Sequence, residues 1–514
     1  MYGTDDDWSA GYVTDVEYTH GFYGEMAPSR LALVLLARGC FPPDIGRPFK
    51  FCELGAGQGL STNVLAAANP LGSFWANDFN PTHIANAKRL AAEGGLANVE
   101  FADTAFADLD KSDTPEFDFI CLHGVYSWIN AENRAAIIDF VRRKVKVGGV
   151  VFVSYNAYPG WAASMPLREL LCRYAESASG TRLAGIDAAI KFADRLKSLK
   201  VHYFQANEAV TKRLDHMAKQ SRHYLAHEFF NRDWTPFYHS EVAGDLRRAK
   251  MTYVGSAHLP DDIDQVTLDP EQAAVLAEIP DPSDRETVKS FFLNQQFRRD
   301  VFVRGPLHLK PLEVGQYAGR VRLAPARLRA DMALKAPSPR GEFTLKSEYY
   351  EPIFDRLDKG PVSIAEILAD RAFAGAPAGV GLTAILVTIG LGYATNCLAA
   401  EGEAVRRKST EAFNQAVLAR ARFGPEIGYL ASPVTGSGVG VEHIDQLFML
   451  ARREQAPAIG QYVERALTQM GRRLAGEGGK PIEDPKAAVA ELDRRAKVFE
   501  ERRLPLMQKL GVVQ

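Results

Sequence analysis

Between residues 28 and 156 the apolar and polar positions alternate in short strand-like and longer helix-like runs. Pro28 to Arg38 (PSRLALVLLAR) reads as a helix with proline in its first turn. Phe49–Leu54 is a short apolar run that ends in glycine-rich sequence, and Leu60–Ala68 is an apolar helix stopped near Asn69-Pro70. Ser73–Asn77 predicts a second strand ending at Asp78, followed by a helix over Pro81–Glu93. Val99–Phe101 predicts a third strand ending at Asp103, and Phe117–Leu122 a fourth. An amphipathic helix, Glu132–Lys144, then precedes Gly148-Gly149 and a fifth strand, Val150–Ser154. Strands alternating with helices imply a parallel sheet covered on both faces. The ligand site of such a sheet is expected beyond the carboxyl ends of its strands.

After about Trp161 this rhythm stops, and residues 166–300 read mostly as helix. Asp261 to Glu286 carries nine acids and a single base, Arg285, whereas 304–340 carries eight Lys or Arg against two acids. The basic segment is also proline-rich, which marks a linker or boundary. Its charge suits the acidic stretch of the same chain, and nucleic acid is the less expected partner. Residues 343–400 read as a small mixed unit, and 410–514 as helices with glycine-rich interruptions, notably Thr435–Gly440. No charge occurs from Ala372 to Ala400, a length that could span a bilayer. Pro377, several glycines, three threonines and Asn396 argue instead for a buried helix plus a strand. Residues 1–25 are rich in aromatics and acids and read as a lead-in segment or lid.

Composition narrows the function classes. The 514 residues are 46% hydrophobic and 24% charged, which fits a globular protein of about three domains. The formal net charge of -2 gives no overall pull toward nucleic acid or anionic lipid. The five cysteines have no pair at CxxC spacing, so no metal site or disulfide framework is expected, and a reducing compartment fits. The start, MYGTDDDW, lacks the basic and apolar regions of a secretory signal.

The strongest chemical signal is FCELGAGQG, Phe51 to Gly59. A strand ends at Glu53, glycines alternate at 55, 57 and 59, and a helix opens. Glycines let the backbone turn sharply and approach a ligand, and the helix start offers free N–H groups. The dinucleotide pattern GxGxxG would put its third small residue at Leu60, which is too large, and no Gly-Lys-Ser/Thr follows. The pattern resembles the first motif of class I S-adenosylmethionine methyltransferases. That resemblance implies a cofactor cradle of Glu53, Gly55, Ala56, Gly57 and Gly59. Asp78, 25 residues after Glu53, ends the next strand, where a carboxylate can accept ribose hydroxyls. Asp103, a further 25 residues on, is placed by the resemblance near the adenine, and Phe79, Thr104 and Ala105 flank these acids. The fourth strand leads to CLHGVYSWIN and the fifth to VSYNAYPGW. Aromatic faces suit a sulfonium or an amine. The substrate side is therefore expected at Tyr18, Tyr23, His123, Tyr126, Trp128 and Tyr158, with His123 also beside the cofactor and able, like a tyrosine, to take a proton. Leu122-His123-Gly124-Val125 departs from the Asn/Asp-Pro-Pro-Tyr/Phe of many nucleic-acid amino-methyltransferases.

His227 to Leu259 (HEFFNRDWTPFYHSEVAGDLRRAKMTYVGSAHL) is similar to the methyltransferase regulatory domain that follows such a core in a bacterial family. LHGVYSWI, YNAYPGW and QQFRRDVFVRG resemble the same family, which includes protein lysine methyltransferases of outer-membrane proteins. YYEPIFDRLDKGPVSIAEIL is similar to a winged-helix module. The expected fold is α/β: a Rossmann-like class I methyltransferase core with N-terminal lid (1–165), a largely helical regulatory domain (166–310), a winged-helix-like domain (311–405) and a C-terminal helical region (406–514). The resemblance implies S-adenosylmethionine as cofactor, S-adenosylhomocysteine as product, and methyl transfer to nitrogen, most simply a protein lysine. It also implies a cytoplasmic protein and a homodimer, with no membrane span, no nucleic-acid partner and no metal. A small-molecule methyltransferase and a non-catalytic cofactor sensor are the alternatives.

Overall fold

The computed structural model describes residues 20–338, 341–377 and 379–513. Most of the lead-in segment, including Tyr18, lies outside the described residues. Seven strands form one sheet: β1 (Phe49–Leu54), β2 (Gly72–Asp78), β3 (Val99–Asp103), β4 (Phe117–Leu122), β5 (Val145–Asn156), β6 (Met251–Ser256) and β7 (Phe297–Arg304), in the order β3-β2-β1-β4-β5-β7-β6. β1 to β5 run parallel, and β7 lies antiparallel between β5 and β6. Helices α1 (Pro28–Ala37), α2 (Leu60–Ala68), α3 (Pro81–Glu93) and α4 (Ala131–Lys144) cover the parallel part. All five strands expected from the alternation are present.

β6 and β7 fall at the end of a region whose pattern read as helix. The reason is visible in β7, FRRDVFVR. Its odd positions, Val301 and Val303, join the apolar cluster that holds α1, while Phe302 joins the cluster on the other face. Arg298 and Asp300 point to that second face and are buried there, so buried charges interrupt what would otherwise be an apolar strand.

Between β5 and β6 lie α5 (Met165–Ser177), α6 (Arg182–Ser198), α7 (His202–Ala206), α8 (Glu208–Lys219), α9 (Arg222–Phe229) and α10 (His239–Arg248). α5 to α9 close over an apolar cluster of their own that includes Leu171, Ile186, Leu214 and Leu225. The uncharged stretch resolves into the helix Val380–Gly390 and the strand Ala394–Cys397, as its glycines and polar residues suggested. Among the described residues no helix is long and apolar enough to cross a membrane. That strand pairs antiparallel with Arg322–Pro325, which also pairs with Val362–Ser363.

The C-terminal region is more than helix: Tyr429–Ser432 and Ser437–Gly440 form a hairpin around Thr435-Gly436. Its glycines have a packing reason, since a Cβ on Gly438 would meet the Phe22 ring at 2.8 Å. The hairpin and the helix Glu403–Arg420 lie on α2, every residue of which is buried. Asn69 donates its amide to the Gly436 carbonyl at 2.8 Å. One apolar cluster therefore runs without a break from the sheet to the C-terminal helices. The acidic and basic segments form no ion pair with each other among the described residues: Asp264 holds Lys289 and Glu286 holds Arg298, whereas Arg329 holds Glu351 and Asp355.

Asp300 locks β7 into the sheet. It is fully buried and accepts from the Tyr155 hydroxyl on β5, from His239 Nδ1 at 2.8 Å and from Arg298 Nε at 3.0 Å. Those cationic and hydrogen-bonding neighbours hold its carboxyl below the usual range in spite of burial. Asp300→Ala would leave Arg298 with Glu286 alone and strand the buried Tyr155 and His239 donors. It is expected to cost about 3 kcal/mol or more in chemical denaturation, whereas Lys111→Ala, in the exposed pair with Asp108, should leave the midpoint unchanged.

Candidate functional site

The cleft opens at the carboxyl ends of β1, β2 and β4. Gly55, Gly57 and Gly59 have φ of 74°, 53° and 68°, so the turn is built from left-handed backbone that side chains disfavour. The amides of Gly55 and Ala56 both donate to the Asn77 carbonyl, at 3.0 and 2.8 Å, which pins the turn to the end of β2. Gly59 is the N-cap of α2, and a Cβ there would meet Ala87 at 2.5 Å. The close approach, of α2 on α3, thus falls at Gly59, one position before Leu60.

Glu53 is buried at the foot of the turn and accepts from the Thr62 hydroxyl on α2. Burial raises its pKa to about 7, countered in part by Thr62. Asp78 accepts from the Gly57 amide at 2.9 Å, from the Asn80 amide at 2.9 Å and pairs with His83 Nδ1 at 3.2 Å. With about four acceptor positions on a carboxylate, these leave room for about one hydroxyl rather than two.

The other wall is aromatic. Tyr23 stacks on His123 with ring centroids 3.5 Å apart, and His123 lies 6.2 Å from Phe152 and 5.9 Å from Phe297. Ser61 holds this arrangement over α2: its hydroxyl accepts the Tyr23 amide at 3.1 Å and donates to the Gly21 carbonyl. Burial, with Arg299 nearby, pushes the His123 pKa down to about 3, so the ring is neutral. The cleft holds ≈740 Å³ counting its open mouth. Its lining includes Glu53, Gly55, Ala56, Gly57, Asp78, Phe79, His123 and Trp128. A buried carboxylate beside glycine backbone, faced by neutral aromatic rings, suits a nucleoside that carries a positive charge.

A family model described as "Methyltransferase domain" matches residues 52–151, and one described as "Predicted methyltransferase regulatory domain" matches 221–304. An uncharacterized protein of Synechocystis sp. is 41% identical over 507 residues, covering 98% of this chain and 99% of that one. The chain belongs to the class I methyltransferases that carry a methyltransferase regulatory domain. It is an S-adenosylmethionine-dependent methyltransferase. PKMT2 from Rickettsia typhi in complex with AdoHcy has the same fold, with a TM-score of 0.70 at 19% identity over 96% of this chain and 100% of that one. An uncharacterized protein of Rickettsia prowazekii is 25% identical over 57% of this chain and 53% of its own.

This methyltransferase departs from the sequence expectation at several site residues. Asp103 pairs in register with Asp78 but is exposed, and neither it nor Thr104 or Ala105 lines the cleft; Phe106 takes that wall. Tyr126 is buried on the far side, where its hydroxyl donates to Asp245 at 2.6 Å. Tyr158 packs on Tyr238, 5.1 Å away, and does not line the cleft. Trp128 does line it and joins Trp161 and Trp234 in a separate apolar cluster.

The sequence reading missed Ser61, His83, Phe106 and Arg299, whose neighbours are remote in the chain. It also quoted HEFF without seeing a site in it. Tyr224 and Glu228, one helical turn apart on α9, share a face, and Tyr224 feels the charges of both Glu228 and Tyr23. Phe229 joins the Trp128 cluster and stacks near Trp161, 5.7 Å away. Glu228 makes no hydrogen bond or ion pair among the described residues, and burial raises its pKa to about 7. Gly57→Leu should abolish S-adenosylhomocysteine binding, because it forces a side chain onto left-handed backbone beside Asp78; calorimetry giving wild-type affinity would reject the site.

Proposed function

We propose that this enzyme methylates a lysine side chain of a protein, with the acceptor amine entering between the Tyr23–His123 stack and α9. The observation that carries the reading is the aromatic stack of Tyr23 on His123 that the bound cofactor would face, with Tyr224 of α9 near Tyr23 and the buried Glu228 carboxylate one helical turn on. The likeness to PKMT2, which was solved with AdoHcy, supports it.

When bound, S-adenosylmethionine supplies a sulfonium methyl carbon as electrophile. Gly55, Gly57 and Asp78 would hold its nucleoside and methionine parts, and Tyr23, His123 and Trp128 would enclose the methyl group. A lysine has a reference pKa of about 10.4 and must lose a proton before its nitrogen can attack. Neutral aromatic walls disfavour the ammonium form and so ease that loss. His123 is a poor acceptor because its conjugate acid forms only near pH 3. Glu228, with its pKa raised to about 7, would receive the Nε proton and pass it to water, leaving a neutral amine to accept the methyl group that S-adenosylmethionine would supply. A cytoplasmic homodimer belongs to the same reading, and sedimentation of the full chain tests the dimer.

The decisive experiment incubates the enzyme with radiolabelled S-adenosylmethionine and fractionated cell extract. Label on lysine in the protein fraction is expected; label confined to small molecules or nucleic acid would overturn the substrate class. With the labelled acceptor in hand, turnover of wild type should rise with pH through about 7, as Glu228 loses its proton. Glu228→Gln should lose that limb and about tenfold or more in kcat with S-adenosylhomocysteine affinity unchanged; a retained limb would remove Glu228 from the proton path. His123→Ala should keep cofactor affinity near normal and lower methyl transfer, whereas full turnover would take the ring out of the mechanism.

A further inference from the structure

A second cavity lies outside the methyl-transfer cleft, where four parts of the chain meet. Its walls come from the turn Gly24–Met26 and α1, from the segment after β6, from the strand Ala394–Cys397 and from the C-terminal hairpin. It holds ≈260 Å³, and its lining is more polar than apolar. Apolar clusters close the rest of this junction, so a polar hollow here needs a reason.

Its side chains include several donors, and the one carboxylate among them, Glu25, is already engaged by Arg299. Arg30 on α1 makes no hydrogen bond or ion pair among the described residues, and burial lowers its pKa from the ordinary arginine value. Glu25 acts on it only through space, and the Glu25 carboxylate is engaged by Arg299 at 3.1 Å. Asn396 is 4% exposed, lines the same hollow, and its amide has no partner among the described residues. His258 adds a ring whose Nδ1 is held by Asp261 at 2.9 Å, and Ser437 adds a hydroxyl. A buried guanidinium whose nearest carboxylate is engaged elsewhere is costly, and a buried amide without a partner adds to that cost.

We infer that this junction is a binding site for a small anion, one presenting a phosphate or carboxylate group to Arg30, with Asn396, His258 and Ser437 around it. The guanidinium fork fits either group with two parallel hydrogen bonds. The site also touches the methyl-transfer cleft. Tyr23, which stacks on His123, directly precedes the turn that carries Glu25, and Glu25 holds Arg299, which lies over Phe297 at 4.9 Å. Phe297 packs on His123 in turn. An anion beside Glu25 would therefore bear on both supports of the aromatic wall.

The test titrates inorganic phosphate and, in a second arm, citrate into the full-length protein by calorimetry, at constant ionic strength. Saturable binding of at least one of them is expected, and the arm that saturates tells the phosphate from the carboxylate source. Arg30→Gln and Asn396→Ala should each weaken it about tenfold or more while leaving S-adenosylhomocysteine affinity unchanged. Because Arg30 has no partner to lose, Arg30→Gln is expected to keep or raise the melting temperature of the ligand-free protein. Unsaturable heats in both arms, or saturation with equal affinity in Arg30→Gln, would overturn the site. A ligand-free Arg30→Gln protein that melts well below wild type would overturn it too, by making Arg30 a structural cation.

Discussion

The buried carboxylate of Asp300 is the joint on which the arrangement of this enzyme depends. A charge at that depth is tolerable only because a tyrosine of β5, a histidine of α10 and an arginine of its own strand converge on it. That convergence fixes β7 between β5 and β6 and so makes the regulatory segment part of the catalytic sheet. Strand alternation then does the rest. With Arg298 and Asp300 turned to one face, Phe297 and Arg299 turn to the other, where they back His123 and meet Glu25. Among the helices before that strand, α9 brings Tyr224 near Tyr23, with Glu228 one turn on.

The methyl-transfer cleft follows from a second constraint, the lack of room around the glycine turn. Left-handed backbone at three alternate positions lets the chain reverse within one turn and brings the Gly57 amide onto Asp78. α2 can then start directly beneath the ligand space, with Gly59 against Ala87. Burying α2 on every side holds this turn in place. The C-terminal hairpin and the helix Glu403–Arg420 supply the cover, which gives residues far from the chemistry a direct mechanical part in cofactor binding.

Features that depend on local pattern were legible in the sequence. The alternation from Phe49 to Ser154 located all five parallel strands, and the glycine run with Asp78 located the cradle. The uncharged stretch after Ala372 also resolved as its glycines and polar residues implied. What the sequence concealed depends on contacts between distant residues. β7 was hidden because its buried charges mimic a solvated surface, and no local signal distinguishes Asp300 from an exposed aspartate. Aromatic residues next to strand ends were ambiguous for a related reason: Tyr126 and Tyr158 follow strands as His123 and Trp128 do, but their rings turn toward the regulatory helices. Asp103 ends β3 in register with Asp78, yet its side chain stays in solvent, because strand register fixes the backbone and leaves the side chain's direction to the turn that follows.

The neutral His123 explains how these parts can serve one reaction. Methyl transfer moves a positive charge from sulfur to nitrogen, so a fixed cation in the wall would oppose both ends of the path. Burial, with the charge of Arg299 adding to it, keeps the imidazole from protonating, and the charge of Arg299 is answered by Glu25. The wall therefore presents π-faces to the reacting atoms, which favour a cation at every stage without competing for the proton. The proton must then leave by another route. The acid that can accept it comes from the regulatory segment rather than the core, which ties the chemistry of the cleft to the strand that Asp300 holds.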